Sequence, residues 1–198
     1  MDPERRNARP LLWRFASFPN ILKMRQEAKM PVAEESPTPR LITAGPREGR
    51  SVWLLGGRYT FKVTGKQTGG SYGTVEAECF PGDGAPPHVH HREDESFFVI
   101  EGDMSFVCGD KTFLAKPGAF LHIPKGMVHA FRNDTHTVAR MLVTYSPAGF
   151  EQFFDRIGRP AEPGAPRPEV DPEEELLRVM AAAAEFNLEF RIPAGATP

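Results

Sequence analysis

The sequence predicts an all-β fold, a sandwich or barrel of short strands carrying helices at its C-terminal side. Two observations lead there. Between residues 41 and 145, short runs rich in β-branched and aromatic residues alternate with Gly, Pro, Asn and Asp at close intervals, too short for helices and too regular for a linker. Beyond residue 146 the apolar spacing lengthens to i, i+3, i+4, i+7, which is the period of a helix face.

Taken in order, the strands are expected at 51–55, 58–63, 72–80, 96–100, 104–108, 111–114, 120–123, 128–132 and 137–145. Ser146-Pro147 opens a helix whose stripe is Phe150, Phe153, Phe154 and Ile157, with Gly158 placed to stop it. A Pro-rich linker runs from Pro160 to Pro168. Asp171 then supplies an N-cap, Pro172 a first helical residue and Glu174 a capping acid, ahead of a second stripe of Leu176, Val179, Met180 and Ala183. Both helices are expected to be structural, capping the barrel or packing across a dimer, rather than gating a site. The division is thus an arm at 1–40, a barrel at 41–146 and a helical extension at 147–198. The first thirty residues hold seven Arg or Lys and three acids, and Arg14 interrupts Leu11-Leu12-Trp13, which spoils the apolar core of a signal peptide. The arm is expected to be poorly ordered or to pack on a partner subunit.

Composition excludes several classes. With 25% charged residues and a net charge of −2, there is no basic run and no nucleic-acid partner is expected. No apolar stretch reaches the length of about 18 residues that a membrane span needs. Cys79 and Cys108 each fall in an expected strand, and a reduced, cytoplasmic pair is the default reading.

The chemistry lies in two segments. From Gly82 to Gly102 the chain reads G-x5-H-x-H-x4-E-x6-G, placing His88, His90 and Glu95; from Gly118 to Asn133 it reads G-x5-P-x-G-x2-H-x3-N, placing His129. Residues two apart on a strand share a face, so His88 and His90 present both rings to one point if their segment is extended, as Pro86-Pro87 requires. Glu95 begins the next strand, with Phe97 and Val99 on its side and Ser96, Phe98 and Ile100 on the other; both faces are apolar, as in a strand enclosed on both sides. Glu93 and Asp94 read as solvated turn residues, and His91 and His136 as bystanders, while His122 has a place on a pocket wall open to it. Three imidazoles and a carboxylate suit one divalent transition metal, whether Ni, Fe, Mn, Co, Cu or Zn, and four protein ligands leave room for a further guest.

Both motifs resemble those of the cupin superfamily, with every defining position occupied. That resemblance implies a double-stranded β-helix (jelly-roll) barrel with His88, His90, Glu95 and His129 as metal ligands. Further stretches, Gly57 to Gly65 with Thr68-Gly69-Gly70, Gly149 to Phe154, Ile157 to Pro160 and Phe186 to Glu189, look like the bacterial single-domain quercetinase-like group, and the likeness runs over residues 41–193. It implies a metal-dependent dioxygenase that opens a flavonol or similar enolic aromatic with O2. Glu95 then acts as catalytic base as well as ligand, and Tyr59, Phe97 and Phe131 wall the substrate pocket. The implied partners are a flat small molecule, O2 and a second copy of the chain in a homodimer. Two alternatives stay open: a metal-binding cupin that holds a small ligand without turnover, and a cupin isomerase or decarboxylase, whose charged substrate would need Lys62 or Arg140 to point inward.

Overall fold

The computed structural model describes residues 40–192; apart from Arg40, the expected arm at 1–40 lies outside the described residues. The order is β1 (Ser51–Leu54), β2 (Gly57–Val63), β3 (Gly73–Cys79), β4 (Gly84–His90), β5 (Asp94–Glu101), β6 (Met104–Cys108), β7 (Lys111–Ala115), β8 (Phe120–Ile123), β9 (His129–Arg132), β10 (Ala139–Ser146), α1 (Glu151–Ile157), β11 (Arg159–Pro160), α2 (Pro172–Ala183), a 3-10 turn (Ala184–Phe186) and β12 (Leu188–Phe190). The strands form two antiparallel sheets, one ordered β11-β1-β2-β3-β10-β5-β8 and the other β12-β4-β9-β6-β7. The fold is the expected all-β one.

The sheets face each other across a core of alternate residues, because period-2 alternation sends every second side chain inward. Val75 and Ala77 of β3, Phe97 and Val99 of β5, and Met141 and Val143 of β10 meet Met104 and Phe106 of β6 and Phe131 of β9 there. At its centre Phe97 stands edge-on to Phe106 at 5.1 Å and to Phe131 at 5.5 Å, so one ring joins both sheets. On the outer face of the larger sheet Glu76 binds Lys62 (Nζ at 2.8 Å) and Arg140 (Nε at 2.9 Å), an ion cluster that leaves neither cation facing the core.

Several expectations change. The outer face of β5 is open, with Phe98 44% exposed beside Phe120 at 66%, its cross-strand neighbour, so this strand is enclosed on one face only. In α2 the buried stripe is Leu176, Val179 and Ala183; Met180 is exposed, and Glu175 goes in instead, neutralised by Arg159 (3.0 Å) and Arg178 (2.7 Å). Asp171 caps that helix as expected, accepting from the amides of Glu173 and Glu174. Gly158 does end α1, but in extended backbone rather than the left-handed conformation; what demands glycine is crowding, since a Cβ would lie 2.6 Å from the Val52 side chain. β4, β11 and β12 have no counterpart among the expected strands; the last two are only two and three residues long, while β4 is the extended segment that carries His88 and His90.

Candidate metal centre

Three of the four candidate ligands lie on the smaller sheet. His88 and His90 project from one face of β4, and His88 pairs in register with His129 of β9. The β4–β9 ladder shifts register between Ala85 and His88, where Pro86 and Pro87 have no amide proton to donate. Glu95 comes from the opposite sheet, in register with Tyr145 of β10 and Ile123 of β8. The turn before β9 brings His129 in: Gly126 adopts φ +84°, and its amide donates to the carbonyl of His90 at 2.8 Å.

All four side chains are buried, and one donor atom from each lies within 4.8 Å of the others. His129 Nε2 sits 2.8 Å from Glu95 Oε2, and His90 Nε2 is 3.5 Å from the same oxygen. Donor atoms each about 2.0–2.2 Å from a shared cation are separated by up to roughly twice that, so the spacing suits one ion. Backbone carbonyls orient two of the rings: His88 Nδ1 meets Pro86 O at 2.8 Å and His129 Nδ1 meets Met127 O at 3.1 Å. A proton on each Nδ1 leaves the Nε2 lone pairs free for the common point. This buried His-His-Glu-His group can hold a divalent metal.

The cluster opens into a narrow cleft of about 40 Å3. Tyr59 of β2 and Phe131 of β9 line it. Phe97 does not: it lies beneath His129, fully buried between the sheets. Parity puts Phe97 on the glutamate's side but says nothing of depth. The remaining wall comes from the helical extension, through Phe150, Phe153 and Phe154 of the α1 segment, Val179 of α2, and Leu188 and Phe190 of β12. Phe150 stands edge-on to the His90 ring at 4.3 Å. The helices therefore do more than cap the sheets; the i, i+3, i+4 stripe carried the signal for a covered surface but not for which surface. Tyr145, in register with Glu95, is a further lining residue not anticipated, as are Leu54 and Leu55 at the β1–β2 turn. His122 is exposed and bonded to Ser96 at 3.0 Å, which removes it from the wall; His91 is exposed and pairs with Glu189. Glu93, expected in solvent, is 1% exposed. Cys79 and Cys108 are free thiols, and burial pushes Cys79 up to about 12.

Residues 76–145 match the family model described as a cupin domain, a segment that contains all four ligands of the cluster. That segment is a cupin domain. The chain is 35% identical over 97 residues to quercetin 2,3-dioxygenase of Bacillus subtilis, a match covering 49% of this chain and 28% of that protein. It is 32% identical over 57 residues to an uncharacterized protein of Streptomyces coelicolor, covering 29% of this chain and 53% of that one. The matches thus span from about a quarter to about half of the curated relatives' length. Among solved structures, an RmlC-like cupin from Shewanella frigidimarina matches 58% of this chain and 96% of its own, at 16% identity and a TM-score of 0.49.

Charge within the cupin cluster is unevenly held. Burial, then the neighbouring charges of His129 and His90, pushes His88 down to about 3, and burial lowers His90 as well. Burial alone would raise Glu95; the charge of His90 and the hydrogen bond from His129 outweigh it and hold the carboxyl at about 2. Burial would lower His129, but its bond to Glu95 wins and raises it. A pH dependence follows for the metal-free protein. The unfolded chain protonates His88 and His90 near the ordinary 6.5 while the folded chain resists, so acidification from 6.5 toward 3 favours unfolding. His129 acts with the opposite sign, adding stability that is full below 6.5 and lost as pH rises through its raised value. Glu95 adds stability above its ordinary 4.5, lost only as pH falls toward 2. With two depressed histidines against one raised, the urea midpoint of metal-free protein is expected to fall steadily as pH drops below 6.5. A midpoint flat or rising across that window would contradict this balance.

Proposed function

We propose that this cupin is a metal-dependent dioxygenase of the quercetinase-like type, cleaving a flavonol or similar enolic aromatic with O2. The carrying observation is the pairing of a three-nitrogen, one-carboxylate cluster with an aromatic cleft whose described lining contains no Lys or Arg. A neutral, flat molecule suits such walls; a sugar phosphate or carboxylate would bury its charge unpaired. Lys62 and Arg140, the cations that an isomerase or decarboxylase reading needed inside, are bound to Glu76 on the outer face. The similarity to the Bacillus subtilis quercetin 2,3-dioxygenase points the same way.

His88, His90, Glu95 and His129 would hold the ion, of which Ni, Fe, Mn, Co, Cu and Zn are the candidates. When bound, a divalent cation would supply Lewis-acid stabilisation of an enolate oxygen. The chain's own residues do the rest. Phe131, Phe150, Phe154 and Phe190 line the cleft and would pack on the ring and exclude water. Tyr59 and Tyr145 place two phenols in the cleft, both kept protonated because burial raises them well above the ordinary 10. Glu95 takes the substrate hydroxyl proton. In the metal-free cluster burial alone would raise its proton affinity, and the charge of His90, the hydrogen bond and charge of His129 and the charge of His88 outweigh that.

The chain is further proposed to act in the cytoplasm as a homodimer. Its two free thiols and the absence, among the described residues, of a helix long and apolar enough to cross a membrane fit the first; the open apolar face of Phe98, Ile100 and Phe120 fits the second.

The test is reconstitution with each candidate metal in turn, followed by quercetin and O2, reading loss of flavonol absorbance together with carbon monoxide release. Metal-dependent decay with carbon monoxide is expected, from protein that sediments as a dimer. Absence of turnover with every metal would leave the ligand-binding cupin or another reaction in its place, and a monomer would remove the dimer.

A further inference from the structure

We infer that Glu93 is a positioning residue for the metal centre, its Oε2 accepting the Nδ1 proton of His90 and so aiming that ring's Nε2 at the point shared with His88, Glu95 and His129. The inference rests on the metal-site reading above and adds a residue to it.

Each ligating histidine needs an outward partner to fix its tautomer. His88 and His129 have theirs, the carbonyls of Pro86 at 2.8 Å and Met127 at 3.1 Å. His90 has none: its Nδ1 is buried and unbonded. The described residues contain three buried side-chain polar atoms without a partner, Arg58 Nε, His90 Nδ1 and Glu93 Oε2, and the last two face each other at 4.0 Å. A donor and an acceptor, each stranded and each facing the other, satisfy both by closing about 1 Å to ordinary hydrogen-bond length.

The burial of Glu93 is otherwise unexplained. It sits in the short turn between β4 and β5, where its neighbours His91 and Arg92 are exposed and a carboxylate would ordinarily stay in water. Here it is 1% exposed, anchored by Arg92 Nη1 at 2.7 Å on Oε1, which leaves Oε2 free for the ring. Gly149, just before α1, lies against the Arg92 guanidinium at φ +136°, a backbone conformation that glycine adopts freely. A carboxylate withdraws the ring proton more strongly than a carbonyl does, so His90 becomes the most electron-rich of the three nitrogen donors.

The experiment is metal affinity, measured by chelator competition with Zn and Co(II) on wild type, Glu93→Gln and Glu93→Ala, alongside thermal melting of each protein metal-free. About a 10–100-fold loss of affinity is expected, larger for alanine, with an altered ligand-field spectrum of the Co(II) form and little change in metal-free melting. Equal affinity and an unchanged spectrum would overturn the role of Glu93 while leaving the metal site standing. Wild type that binds neither metal would overturn the site itself and this inference with it. Should the variants fail to fold, long-range 1H–15N NMR of the zinc-loaded wild type decides: a slowly exchanging, downfield Nδ1 proton on His90 is expected, and a freely exchanging one would sink the proposal.

Discussion

Glu95→Gln is expected to lower flavonol turnover by about 10²–10⁴-fold while the protein still takes up metal through His88, His90 and His129. The substitution keeps the shape of the side chain and an oxygen at the point that Glu95 Oε2 now shares with His129 Nε2, 2.8 Å away. It removes the capacity to take a proton. Because Glu95 is 2% exposed and lies under the aromatic wall, water has no ready route to replace it as base. The effect should fall on kcat, with KM little changed, since the aromatic walls that hold the ring are untouched. Metal content must be measured on the same samples, at saturating metal, so that lost activity is not lost cation. Full turnover with metal retained would remove Glu95 as proton acceptor and leave it as a ligand only.

Phe97→Ala is expected to cost about 3–5 kcal/mol of folding stability, a large share of the roughly 5–15 kcal/mol that a domain of this kind holds. Phe97 is fully buried, touches Phe106 and Phe131 across the inter-sheet gap and lies 6.4 Å from the His129 ring, so its removal leaves a void that neither sheet can close without moving. Urea unfolding of the metal-free protein measures it. The contrasting outcome is informative: were Phe97 a wall of the substrate cleft, alanine would chiefly change KM and leave the midpoint within about 1 kcal/mol of wild type.

The buried His-His-Glu-His cluster was legible because its chemistry is written in spacing. His88 and His90 share a strand face by parity, and a glutamate and a third histidine at fixed intervals from Gly and Pro turns have few other uses. Strand positions were legible for the same reason, since period-2 patterns and turn residues are local. What escaped was everything set by distance along the chain. Tyr145 meets Glu95, and Phe150 meets His90, only because β10 and α1 return to the cleft, and neither fact is local. Phe97 and Phe131 obey similar parity rules, yet one is core and the other wall, a difference of depth that alternation does not encode. Glu93 was misjudged because a run of three acids after a ligand pair looks like a solvated turn until the fold closes over it.

β12 pairs directly with the strand that carries the first two histidines, Phe190 beside His88 and Leu188 beside His90. During synthesis that flank of β4 stays open until residues close to 190 have left the ribosome, long after all four ligands have emerged. A nascent chain can therefore gather the histidines and the glutamate while their shelter is half built, exposed to whatever cation or oxidant is at hand. Faithful loading and protection from premature chemistry both wait on Leu188 to Phe190 docking.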